Sequence, residues 1–245
     1  MQYGQMSFNL PHDVVPLPSK GKFYINKKKS VKVGYLTASD ENILLAQNNR
    51  DNLMINLLRS KIYEPDIRPE DLLNGDVEAI MIFLRNTSFG PEYVVKATDP
   101  ETNKEFTSTI LLTELYNKET AVEPNEEGLL ETKLPKSGAF VKLKPLTLGD
   151  NNEIDKMVDA YPAGRIAPRQ TIKLSKMIVE IDGSRDRESI TKFVDSMPIM
   201  DSKHIRMFMF ENEPRLELTQ TIIAPSGKEV VADILFGVEF FRPFF

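Results

Sequence analysis

Apolar positions recur at two different periods along this 245-residue chain, and the changes of period mark out its elements. The first 20 residues show neither period. Pro11, Pro16 and Pro18 stand there among scattered apolar residues. Proline disfavours helical backbone in the residue before it, so this stretch predicts an extended arm that must lie against its own body or a partner. Alternation then predicts a small hairpin, Lys22–Ile25 with Val31–Tyr35, turning through Asn26–Ser30. A helical period follows. Thr37 and Asp40 form a capping-box-like start for a helix over Ala38–Gln47, and Leu53, Met54, Leu57, Leu58 and Ile62 place an apolar stripe on a second helix, about Asn52–Ile62. A third helix opens at Asn74 or Gly75. Its Val77, Ile80, Met81 and Leu84 fall at i, i+3, i+4 and i+7, and Ile82 and Phe83 make it apolar most of the way round, so it is predicted to be central and buried, ending near Arg85.

The period then changes to two. Tyr93–Thr98 and Glu105–Leu111 predict strands joined by a turn at Asp99–Lys104, with a short helical turn at Leu112–Tyr116. Residues 117–128 carry Glu119, Glu123, Glu126 and Glu127 and predict an exposed acidic loop. A second hairpin is predicted at Leu129–Leu134 and Phe140–Leu146, then a helix over roughly Asn151–Ala160. Pro168 suits the first position of a helix carrying Ile172, Leu174, Met177 and Ile178 and ending by Asp182-Gly183. Asp186 is positioned to cap a helix with Ile190, Phe193, Val194 and Met197 on one face. Pro198 stops it, and Asp201 or Ser202 caps the next, which carries Ile205, Phe208 and Met209. A third hairpin is predicted at Leu216–Ile223 and Glu229–Leu235. The fold class is α+β: helical segments with several antiparallel β-hairpins, an extended N-terminal arm and an aromatic C-terminal tail. The segments group as 1–35, 36–116 and 117–245, or as one composite domain.

Composition removes chemistry from this picture. Cysteine is absent, which excludes disulfides, thiolate zinc sites and cysteine nucleophiles, and His12 and His204 are the only histidines. The formal net charge of −5, from 31 Lys and Arg against 36 Asp and Glu, disfavours general nucleic-acid binding. No apolar run reaches the ~18 residues of a membrane span, and Met1–Leu10 lacks a secretory pattern, so the chain is expected in a cytoplasm. Carboxylate pairs such as Asp40-Glu41, Glu70-Asp71 and Glu126-Glu127 sit in no distinctive frame, and phosphate-loop, nucleophile-elbow and zinc-protease motifs are missing. Six lysines between Lys20 and Lys32 read as a solvated hairpin edge. The hairpins Tyr93–Leu111 and Leu216–Leu235 share a Pro-containing turn followed by Lys-Glu, like the knuckles of a zinc ribbon without its ligands. They are either a paired duplication held by packing or two unrelated hairpins.

Two apolar clusters remain. Met197–Phe210 holds four methionines and two phenylalanines; methionine suits adaptable interfaces, and core packing is the favoured reading over an interface. The terminal Phe240-Phe241-Arg242-Pro243-Phe244-Phe245 places four rings in six residues, where termini are usually polar. These rings either close the protein's own core or fill a groove on a partner.

Several segments, in order, resemble a family of baseplate hub proteins from T-even-type, contractile-tailed bacteriophages. They are Leu17-Pro18-Ser19-Lys20-Gly21-Lys22-Phe23-Tyr24, Leu36–Glu41 with Ile43-Leu44, Leu73-Asn74-Gly75-Asp76 running to Leu84-Arg85, Phe89-Gly90-Pro91-Glu92-Tyr93, Ile181-Asp182-Gly183 and the terminal Phe-Phe-Arg-Pro. The resemblance implies a non-enzymatic virion assembly protein, either a hub component of the particle or an assembly chaperone that leaves it. The third class is a hydrolase using clustered carboxylates. The expected partners are other baseplate hub or tail proteins, with no cofactor, metal, nucleic acid, membrane or small-molecule substrate. Location follows as host cytoplasm during assembly and the virion tail baseplate on retention. The candidate partner-binding residues are Phe240, Phe241, Arg242, Phe244, Phe245, Leu17, Phe23 and Tyr24.

Overall fold

The computed structural model describes residues 11–45, 50–162, 164–236 and 238–241. It is an α+β molecule whose strands pair antiparallel. The arm is only partly as expected. Strand β1 (His12–Pro16) pairs with β2 (Ser30–Gly34) in the register His12↔Gly34 to Pro16↔Ser30, which buries Val15, Val31 and Val33 on one side. The second half of the predicted hairpin is therefore correct and the first half is not. Lys22–Ile25 lies in successive turns, because Lys20 and Gly21 both adopt left-handed backbone (φ 52° and 74°) and break the extended run. Residues 1–10 fall outside the described chain.

Helix α1 (Ala38–Leu45) starts as expected. The Asp40 carboxylate accepts from the Thr37 backbone N–H (2.6 Å) and hydroxyl (2.7 Å) and is ion-paired with buried Lys61 of α2 (Arg50–Lys61). Burial pushes the Asp40 carboxyl up, but Lys61 and Thr37 outweigh it and hold the group below its usual range. Helix α3 (Asn74–Phe89) runs one turn further than the predicted end. Asn86-Thr87-Ser88 is tolerated because the Thr87 hydroxyl bonds back to the Phe83 carbonyl (2.9 Å), and Gly90, at φ 83°, ends the helix. Ile80 and Leu84 of α3 are fully buried.

Hairpin β3–β4 (Glu92–Thr98, Glu105–Leu111) follows, and hairpin β5–β6 (Leu130–Lys133, Phe140–Leu143) comes after the acidic loop. Helix α4 (Leu148–Asp159) begins three residues before the predicted start, because Thr147 and Asp150 form a reciprocal capping box. Helix α5 (Arg169–Met177) stops earlier than predicted. Ile178–Ile181 is strand β7, added to β6 to make a three-stranded sheet, as suits a β-branched run before the left-handed pair Asp182-Gly183. Asp186 caps α6 (Arg187–Ser196), accepting from Ser189 N–H at 2.8 Å, as expected. Asp201 does not cap α7 (Ile199–Asn212). It lies inside that helix and receives the backbone N–H groups of Lys136 (2.7 Å) and Ser137 (2.8 Å) from the β5–β6 turn. Hairpin β8–β9 (Thr219–Ile223, Glu229–Asp233) and a 3₁₀ turn, Val238–Phe241, close the described chain.

Buried apolar side chains form two clusters. The first draws on β1, β2, α1, α2, α3, β3 and β4 as far as Leu112, and then on β8, β9, Phe240 and Phe241. The second lies wholly between Leu130 and Met209. The chain thus leaves the first core, builds the second and returns. The outgoing and returning strands touch at an Asn117↔Leu216 bridge, with Lys118 N–H on the Arg215 carbonyl at 2.8 Å.

Candidate functional site

Whereas Ile181-Asp182-Gly183 lies in the second core beside Phe140, several of the family-like segments meet around α3. At its N-terminal end Asp76, fully buried, accepts from the Ser19 backbone N–H (2.9 Å) and the Tyr24 hydroxyl (2.5 Å), and Leu73 N–H donates to that same hydroxyl (2.9 Å). Leu17–Tyr24 and Leu73–Asp76 are therefore one hydrogen-bonded unit. Burial pushes the Asp76 carboxyl up, only partly opposed by those donors, and burial with the neighbouring Asp76 raises the Tyr24 phenol. At the C-terminal end of α3 the Arg85 guanidinium donates to the carbonyls of Gly90 and Glu92, each at 3.1 Å, tying down the Phe89–Tyr93 turn. Tyr93 packs on Phe240 with ring centroids 5.7 Å apart.

These contacts locate the predicted partner-binding residues. Leu17, Phe240 and Phe241 are buried in the first core at 3%, 0% and 7% exposure. Phe240 lies against Phe236 at 4.8 Å and Phe241 at 5.1 Å. Tyr24 is half-buried against the first core and Phe23 against the second, so this loop spans the two. Arg242, Phe244 and Phe245 lie outside the described residues.

The two similar hairpins do face each other. Asp99, at the β3–β4 turn, accepts from Glu101 N–H (2.9 Å) in its own turn and from the Ser226 hydroxyl (2.8 Å) and N–H (3.1 Å) in the β8–β9 turn. Burial raises the Asp99 carboxyl, but these donors prevail and set it below the usual range. A carboxylate clasp stands where a zinc ribbon would place metal. Among the described residues no cluster of His, Asp and Glu is arranged to hold a metal ion.

At the junction of the two cores, Glu78 and Glu213 share a cavity of about 170 Å³ with Asn74, Gly75, Pro145 and Arg215. Gly75 is needed there, because a Cβ would stand 2.1 Å from the Pro214 carbonyl oxygen. Burial pushes the Glu78 carboxyl up to about 7 against the pull of Arg215, and Glu213 adds to the rise. Burial raises Glu213 too, opposed by Lys173, Arg215 and Lys118.

Two surfaces take their form only in the structure. The Met197–Phe210 segment divides along α7: Ile205 and Met209 are core, whereas Ile199, Met200, Met207 and Phe210 are exposed. The signal lay in the helical spacing of Met200, Met207 and Phe210, opposite Ile205 and Met209. Phe210 carries Arg215 and Lys118 over its ring at 4.2 and 4.4 Å. The lysine-rich loop and the acidic loop, separated by about a hundred positions, are neighbours: Lys22 pairs with Glu123, and Lys27 Nζ donates to the Glu126 carbonyl at 3.4 Å. Of the two histidines, His204 Nε2 is 2.9 Å from the Thr132 hydroxyl on the second core, and His12 packs edge-on to Tyr63. No described helix is long and apolar enough to cross a membrane.

A family model described as "T4 bacteriophage base plate protein" matches residues 12–242. No curated protein matches the chain, and no solved structure does.

Proposed function

The chain belongs to the family of T4 bacteriophage base plate proteins, and from that membership we propose that it is a non-enzymatic hub component of the tail baseplate, acting through contacts with other hub or tail proteins. The match over nearly the whole chain carries the reading. Its non-enzymatic part is supported by the carboxylates. Asp40, through Lys61, and Asp76, Asp99 and Asp201 are each committed to donors that fasten one segment of the chain to another. The Glu78–Glu213 cavity, at about 170 Å³, is smaller than the roughly 300–1,000 Å³ of ordinary ligand pockets.

The apolar side chains exposed on α7 favour a second reading, a transient assembly chaperone absent from finished particles. Quantitative mass spectrometry of purified particles separates the two. The hub reading expects the chain at a fixed ratio to other baseplate proteins. Absence from particles, with presence in baseplate intermediates, would replace it by the chaperone reading. No turnover in a broad hydrolase screen is expected of either.

A further inference from the structure

We infer that the cleft between residues 16–29 and residues 117–125 is a docking groove for an extended acidic segment of a neighbouring baseplate chain. The cleft measures about 730 Å³ and is lined by Lys20, Lys22, Lys27 and Lys29, with Glu123 the one carboxylate on its wall. Lys22 is paired with that carboxylate, and Lys27 reaches only a backbone carbonyl. Lys20 and Lys29 are exposed and form no ion pair among the described residues. Three positive charges are therefore left facing one concavity of a chain whose net charge is −5. Four lysines against one carboxylate leave the lining with a net positive charge, which attracts the opposite sign.

The rim is built, not frayed. Leu17 N–H donates to the Lys29 carbonyl (2.9 Å) and Lys27 N–H to the Tyr24 carbonyl (3.1 Å). Lys20 and Lys27 both adopt left-handed backbone, at φ 52° and 50°, a conformation uncommon for residues other than glycine. Gly21 between them lies so close to Lys27 that a Cβ would stand 2.4 Å from its carbonyl oxygen. The other wall is fixed too, with Gly128 N–H on the Asn125 carbonyl and Val122 N–H on Asn212 Oδ1.

The chemistry selects a polypeptide. Lysine ammonium groups are point charges that suit spaced carboxylates. The groove lining contains no aromatic ring on which a base would stack. The baseplate reading supplies the neighbouring chain, and the groove rests on it only for that.

The test uses the full chain and fluorescence anisotropy with labelled octaglutamate, octaglutamine and an eight-residue oligothymidylate. Octaglutamate should bind and weaken as salt rises, while octaglutamine should not bind. Lys20→Glu with Lys29→Glu should lower octaglutamate affinity at least tenfold. Should that variant misfold, Lys20→Gln with Lys29→Gln carries the same test and should weaken binding severalfold. The control, Lys203→Glu with Arg206→Glu on α7, should leave it unchanged. Equal binding of octaglutamine, or full affinity in both groove variants, would overturn the inference. Tighter binding of oligothymidylate would assign the groove to nucleic acid instead. Octaglutamate binding by a chain that particles lack would sink the hub reading and leave the groove standing.

Discussion

Two apolar clusters in this protein, Phe240-Phe241 and the Met/Phe-rich α7, end up with opposite exposures from what their surroundings in sequence favour. The aromatic pair comes after the last hairpin, outside any strand or α-helix, yet it is packed into the first core against Tyr93 and Phe236. Helix α7 is the last element of the second core and supplies Ile205 and Met209 to it, yet turns Met200, Met207 and Phe210 outward. Position along the chain is a poor guide to burial here because the first core is assembled from both ends of the chain. Hairpin β8–β9 lies beside β3–β4, and the turn that follows it brings Phe240 and Phe241 into the first core. Helix α7 puts Ile205 and Met209 into the second core, is tied to β5 through His204 and to the β5–β6 turn through Asp201, and leaves its other side exposed.

The sharpest way to break this comparison is Phe240→Ala. Truncating a fully buried phenylalanine removes its transfer free energy and leaves a cavity, so a loss of about 3–5 kcal/mol is expected in denaturant unfolding. A loss below roughly 1 kcal/mol would mean that the pair is not core in solution.

Tyr24→Phe tests the other inward-turned segment. It keeps the ring but leaves Leu73 N–H and one Asp76 oxygen without their partner, at a cost of about 1–3 kcal/mol. A neutral result would show that water replaces the hydroxyl and that the unit joining Leu17–Tyr24 to α3 is held by packing alone.

What could be read from the sequence follows from where each signal resides. Hairpins β3–β4 and β8–β9 were legible because alternation and turn residues act within a few positions. Strand β7 was not, because Ile178–Ile181 continues the apolar spacing of α5 and only its pairing with β6 makes it a strand. The box at Thr147–Asp150 was present in the sequence but set three residues inside the expected loop. For the candidate surfaces the gap is wider. Leu17, Tyr24 and the aromatic pair stood out because they are unusual in composition, and that is a property of buried joints as much as of interfaces. The groove needed the fold, since Lys20 and Glu123 are brought together only when the second core closes against the loop after β1.

Glu78 sits on the boundary between the two compared regions, facing Arg215 and Glu213. Its folded-state pKa of about 7 lies above the unfolded value near 4.5, so the stability it contributes is complete below 4.5 and is lost as pH rises through 7. Glu78→Gln should therefore be more stable than the parent at pH 8, by an amount of order 1 kcal/mol, with the gap closing by pH 4.5. A constant gap across that range would mean the carboxyl is solvated and the cavity plays no part in joining the cores.

The smallest effect is expected on the outward side. Phe210→Ala removes an exposed ring with Arg215 at 4.2 Å and Lys118 at 4.4 Å, contacts worth about 0.5–1 kcal/mol at an exposed site. Lys118 Nζ keeps its bond to the residue-210 carbonyl (2.6 Å), so the helix end is not undone. Unfolding free energy should fall by less than about 1 kcal/mol, several-fold less than for Phe240→Ala, although both substitutions delete the same side chain. Losses of equal size would place Phe210 inside the second core and erase the contrast between the buried Phe240-Phe241 pair and the bare face of α7.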